Sequence, residues 1–213
     1  MEAVLAHVRS ATTMPTYDFV DVVKHEDRCG WQVKSTKAGT PVTWKRAKIP
    51  NATSLIKASK KSAAGLQQLG NAIIEFCNAH AHESLSKYDL DEIGYSRLII
   101  HKDGHVTYFE RLLCTRESPR LFNPHDFKWK WSHPKHTIKK EQLPALHGTH
   151  KPTGEKWWAW HGLGENQLHF SGEAAWWPQP RSHHVVTFKL PTGDEKISFE
   201  MFAELLSHLD LPT

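Results

Sequence analysis

Between Tyr17 and Ser35 two short apolar runs flank a charged segment that ends in glycine, and this stretch restricts the fold more than any other. Residues 17–23 (YDFVDVV) are rich in aromatic and β-branched side chains and read as a strand, as do residues 31–35 (WQVKS); residues 24–30 (KHEDRCG) supply the turn. A β-hairpin is predicted. With its turn centred near Asp27, Asp18 falls opposite Lys34. Side chains alternate between faces, so Gln32 and Lys34 share a face with that cross-strand partner. Asp18, Gln32 and Lys34 are therefore expected to converge. Asp21 is the alternative acid: simple alternation puts it on the other face, and a β-bulge in the first strand would reverse the order.

A carboxylate, a backbone carbonyl and a lysine brought together in this way supply what phosphodiester hydrolysis needs. The oxygens are hard ligands for a divalent cation, and the lysine helps to deprotonate the attacking water or to neutralise charge built up in the transition state. The pattern, Asp18 on one strand and Gln32, Val33 and Lys34 on the next, resembles the PD-(D/E)XK nuclease superfamily in its Q-X-K form. Gln32 stands where most members carry Glu or Asp, as the triplet of Mrr-type restriction enzymes also does, and this removes one charge from the metal site. The resemblance implies an α/β fold with a restriction-endonuclease-like core: helix, β-hairpin, crossing helix and strand in a mixed sheet. It implies Asp18, Gln32 and Lys34 as catalytic residues, and Mg²⁺ held by Asp18, the Val33 carbonyl and an auxiliary Glu2. Double-stranded DNA is the implied substrate, and a homodimer is compatible with it. The Ser-Thr pair after Lys34 and the later TWKRAKIPN point towards type II restriction endonucleases. A repair or junction-resolving nuclease is the alternative with the same chemistry, and a DNA-binding module with a decayed site is the alternative from another class.

The remaining elements of such a core occur in order. Residues 2–10 set Val4, Leu5 and Val8 at helical spacing; residues 62–79 set Leu66, Leu69, Ile73 and Phe76 at i, i+3, i+7 and i+10. Residues 97–101 follow as a strand, so the long helix is expected to cross over and return the chain to the same sheet. From Lys34 to Lys61 there are eight Lys or Arg and no Asp or Glu. A field of that sign after the candidate catalytic strand suits a polyanionic backbone, touched at phosphates before bases. Thr36, Lys37, Thr43, Trp44, Lys45, Arg46 and Asn51 are the expected DNA contacts, with a solvated basic loop as the plainer reading.

The second half is strand-rich. Asp103-Gly104 lies between alternating runs and marks a hairpin, and Phe127, Trp129 and Trp131 alternate with Lys128 and Lys130. Trp157, Trp158, Trp160, Trp176 and Trp177 are expected mainly in the core, a minority of them being available to stack on bases. Residues 184–190 read as a late strand and 198–209 as a closing helix capped by Ser198. A chain of 213 residues with 39% hydrophobic and 23% charged content fits one domain, residues 1–110 forming the nuclease-like core and 111–213 a DNA-reading part. Cys29, Cys77 and Cys114 form no CxxC pair, which argues for a reducing, cytoplasmic location, and neither a membrane span nor a signal peptide is expected. Among sixteen histidines the best zinc cluster is Cys77 with His80 and His82, and it lacks a second ligand pair.

Overall fold

The computed structural model describes residues 1–15, 17–136, 141–163, 166–171, 185–189 and 198–207. In chain order its elements are α1 (Glu2–Val8), β1 (Thr12–Thr13), β2 (Val22–Lys24), β3 (Cys29–Lys37), β4 (Val42–Arg46), α2 (Ala52–Ser59), α3 (Ala63–Lys87), β5 (Glu92–Ile100) and β6 (His105–Thr115). They continue with β7 (Phe127–Trp131), β8 (Lys135–His136), β9 (Glu141–Gln142), β10 (Leu146–His150), β11 (Lys156–His161), β12 (Gln167–Phe170), β13 (Val185–Lys189) and α4 (Phe199–Ser207). The fold is mixed α/β. Two compact units divide it, one made of Met1–Thr40, His80–Arg120 and Pro178–Thr213, the other of Pro41–Ala79 and Leu121–Trp177. The division therefore does not fall at residue 110, because β4 pairs with β12, far along the chain. No described helix is long and apolar enough to cross a membrane.

The first unit holds a six-stranded sheet in the order β1-β2-β3-β5-β6-β13. Among the described strands only β3 and β5 run parallel. Parallel neighbours cannot be joined by a tight turn, and here the chain passes through the 25-residue α3 before it returns. Asp103-Gly104 closes the β5–β6 hairpin, with Gly104 at φ +83 and the His101 N–H donating to the His105 carbonyl at 2.8 Å. On one face of the sheet Leu5 and Ala6 of α1 bury Val22, Trp31 and Val33. On the same face Ser96 Oγ donates to the Tyr108 hydroxyl, which donates to Glu110, whose other oxygen accepts from Arg9 at 2.9 Å. Those bonds tie the end of α1 to β6.

The first strand of the hairpin is shorter than its apolar content suggests. Strand pairing starts at Val22, and residues 17–20 form a bend entered at Tyr17 with φ 95. Phe19 and Val20 are buried, and the Phe19 N–H donates to Ser84 Oγ on α3 at 3.3 Å. The residues that imitate a strand in the sequence instead plug a loop onto the last turns of α3.

The second unit is built on a five-stranded antiparallel sheet, β4-β12-β11-β10-β7, and on the first part of α3. Trp44, Trp158, Trp160, Phe127, Trp129 and Phe170 fill its inner face, with Leu69, Ile73 and Ile74 of α3 also fully buried. A Cβ built on Gly70 would lie 2.2 Å from the Trp129 ring, and one on Gly148 would lie 2.8 Å from it, so the indole fits only because both positions lack a side chain. Ser62 caps α3, accepting from the Gly65 N–H at 3.0 Å, and Ser198 caps α4, accepting from Met201 at 3.2 Å. Trp176, Trp177, His183 and His184 lie outside the described residues, as does the closing helix beyond Ser207.

Candidate active site

Register decides which acid meets the Gln32-Val33-Lys34 triplet. Val22 pairs with Trp31, Val23 with Gly30 and Lys24 with Cys29, and the Asp21 N–H donates to the Trp31 carbonyl at 2.8 Å. The turn is thus centred between Glu26 and Asp27, half a residue from the expected position, and Asp21 stands one residue beyond the last pair of β2. Val22, Trp31 and Val33 point to α1; Asp21, Gln32 and Lys34 share the other face.

Because β2 has no residue paired beyond Val22, the Val33 N–H lies past the end of the ladder, and the Asp21 carboxylate takes its place: Oδ2 accepts from Val33 N at 2.7 Å. The same oxygen is 3.4 Å from Lys34 Nζ, and both side chains are about a quarter exposed. Oδ1 of Asp21 receives no hydrogen bond among the described residues. Since the N–H and C=O of one strand residue face the same neighbouring strand, the Val33 carbonyl opens on the side of Asp21 as well. A carboxylate oxygen, a main-chain carbonyl and a lysine therefore meet where β2 ends.

Asp18 is elsewhere. Its carboxylate accepts from Lys87 Nζ at 3.0 and 2.9 Å and from the Tyr88 hydroxyl, at the C-terminal end of α3. The hydrogen bond to Asp18 raises the Lys87 ammonium above its ordinary value, while burial and then Asp18 push the Tyr88 phenol up. The expectation that Asp18 joins Gln32 and Lys34 is corrected by the bend at residues 17–20, which carries it off the sheet. Glu2 is also displaced: it is exposed on α1, which packs on the face opposite Asp21 and Lys34.

Two neighbours on β5 had no signal in the sequence. The parallel register sets Tyr95 beside Gln32 and Arg97 beside Lys34. Arg97 is 6% exposed, and its Nε and Nη2 donate to Thr36 Oγ1 at 3.1 and 2.9 Å, which holds the guanidinium flat along β3. Tyr95 is fully buried; desolvation drives its phenol well above the usual value, with Arg97 and Asp21 as its charged neighbours. Only knowledge of the β3–β5 register would have found these two.

The expected DNA contacts separate into the two units. Thr36, bonded to Arg97, and exposed Lys37 belong to the first. Thr43, Arg46 and Asn51 of the second are exposed and Lys45 is half-buried. Trp44 is corrected: at 1% exposure it is core, with its ring edge-on to Phe170, Phe122 and Trp158 at 5.0, 5.5 and 5.8 Å. Cys77 is fully buried, and desolvation pushes its thiol up to about 12.

Among the described residues no group of three or more His, Cys, Asp or Glu is disposed to hold a metal ion. Mg²⁺ does not require one. It is commonly bound through one or two carboxylates, with waters and substrate phosphates completing its shell. Asp21 Oδ1 and the Val33 carbonyl fit that pattern; Glu2 does not. No family model, no curated protein and no solved structure matches the chain.

Proposed function

We propose that the chain is a Mg²⁺-dependent DNA endonuclease of the PD-(D/E)XK type, closest in character to a type II restriction endonuclease, with Asp21 rather than Asp18 as its acid. The observation that carries this reading is the junction at the end of β2, where Asp21 Oδ2 accepts from the Val33 N–H at 2.7 Å and lies 3.4 Å from Lys34 Nζ, on the edge of β3 to which the Val33 carbonyl also belongs. Mg²⁺ bound there supplies a Lewis acid for the scissile phosphate and lowers the pKa of the attacking water. Lys34 stabilises the charge that develops as the water attacks. Gln32 orients the donor set without adding charge. Arg97, held by Thr36, adds a second fixed cation beside Lys34 for a non-bridging phosphate oxygen.

A second reading is supported by the β3–β5 register, which sets the basic side chains of Lys34 and Arg97 at neighbouring positions beside Asp21. That pairing suits a non-catalytic module which binds phosphate without cutting. Incubation with supercoiled plasmid separates the two. Nicking or linearisation in Mg²⁺ that stops in EDTA is the expected result, and intact plasmid across a range of divalent ions would favour the binding module. A digest of a sequenced phage genome then separates a restriction enzyme, which leaves discrete fragments, from a repair or junction-resolving nuclease.

A further inference from the structure

We propose that the outer face of the five-stranded sheet in the second unit is a docking surface for the phosphate backbone of duplex DNA. The proposal deepens the nuclease reading by naming where that unit meets the substrate. Its basis is the register of the sheet, which does not involve the candidate active site.

Every strand of this sheet sends its large aromatic residues inward, and what remains on the other side is, apart from Ala159, polar or basic. The pairings Thr43 with His169, His169 with Ala159, Ala159 with His147, and His147 with Lys130 align one residue from each of the five strands. That row crosses the whole sheet and contains no acid. Neighbouring strands are about 4.8 Å apart, so it runs for about 19 Å. Thr149 pairs with both Lys128 and Lys156, which continues the same face, and Arg46 stands opposite Gln167 next to His161.

Four of these residues, Arg46, Lys128, Lys130 and Lys156, are exposed, and none has an ion-pair partner among the described residues. Two exposed arginines of the first unit, Arg28 and Arg116, are by contrast both neutralised by Asp89 and Asp91 at 2.7–3.3 Å. Unneutralised cations arranged on a flat face match a partner with regular negative charge. A duplex carries about one charge per 1.7 Å of its axis, or roughly eleven along the row. Proteins that take single strands stack successive bases on aromatic side chains. Here the Phe and Trp residues of the five strands face inward, which favours the duplex backbone.

The test uses the full chain carrying Lys34→Ala, so that DNA stays intact, and a fluorescent 30-bp duplex of arbitrary sequence. Anisotropy titrations over a salt series compare it with the same chain carrying Lys128→Gln and Lys130→Gln, and separately with one carrying Arg46→Gln. The expected result is a Kd raised about tenfold at low salt for the double variant. The slope of log K against log salt should fall by roughly 0.9 for each phosphate that is no longer neutralised. Arg46→Gln gives a second reading should the double variant melt early. Unchanged Kd and slope in both variants would overturn the proposal. So would a weakening confined to single strands, or equal competition by polyglutamate of the same charge. Plasmid cutting by the chain with native Lys34 separates this from the active-site reading: cutting with unchanged binding removes the surface alone, whereas weakened binding in a chain that never cuts removes the nuclease alone.

Discussion

Two aspartates three residues apart have different roles because the chain bends between them. Asp18 and the bend at residues 17–20 are anchored to α3 by Lys87, Tyr88 and Ser84; Asp21 completes the ladder beyond the last pair of β2. Asp18→Ala should therefore act on stability. The Lys87 partner is half exposed, so the ion pair contributes little, and the loss should come mainly from the Tyr88 hydrogen bond, about 1 kcal/mol in urea unfolding. Lys34→Ala should leave the urea midpoint almost unmoved and lower the single-turnover cleavage rate by on the order of 10²-fold or more, since it removes one preorganised charge from the transition state. Equal cleavage rates at saturating Mg²⁺ would take Lys34 out of the chemistry. The triplet was legible in the sequence; the choice of acid was not. It rested on the turn centre, and a half-residue difference there exchanges the faces of every side chain on the strand.

At the scale of elements, local signals carried well and distant pairings did not. The apolar spacing of α3, the Asp103-Gly104 hairpin and the Phe127, Trp129, Trp131 alternation all rest on residues within one or two turns of each other. The pairing of β4 with β12 and of β6 with β13 joins segments far apart in the chain, and nothing local in either strand names its partner. Trp44 illustrates the consequence: within a basic run it resembled a contact residue, yet its strand delivers it to an aromatic core. Close approaches between elements were equally silent. Gly70→Ala places a methyl group against the Trp129 indole, and overpacking of this kind costs roughly 1–3 kcal/mol. Urea unfolding followed by tryptophan fluorescence should report that loss, and a midpoint equal to wild type would show that the ring can move aside.

At the scale of the whole molecule the chain is two units woven from alternating segments, an arrangement hidden from a reading that moves once from start to end. Both units bury a thiol: Cys77 in the second and Cys114 in the first are pushed up to about 12 by desolvation. In the unfolded chain a thiol loses its proton near pH 8.5. Between that pH and the folded value the native state holds more protons, so stability should fall as pH rises, by about 1.4 kcal/mol per pH unit for a fully buried thiol. Urea midpoints taken from about pH 7.5 to 10 should decline, and Cys77→Ala should flatten the decline. A flat wild-type profile would mean that the thiols ionise without unfolding. Which carboxylate serves the Gln32-Val33-Lys34 strand is the central question for the molecule. Single-turnover cleavage of plasmid in Mg²⁺ by Asp21→Asn and Asp18→Asn, measured side by side, tests it most directly. Asp21→Asn should abolish cutting, because the amide keeps the shape but loses the anionic oxygen that a hard cation needs, while Asp18→Asn should cut within about threefold of wild type. Cutting retained by Asp21→Asn and abolished by Asp18→Asn would contradict the assignment.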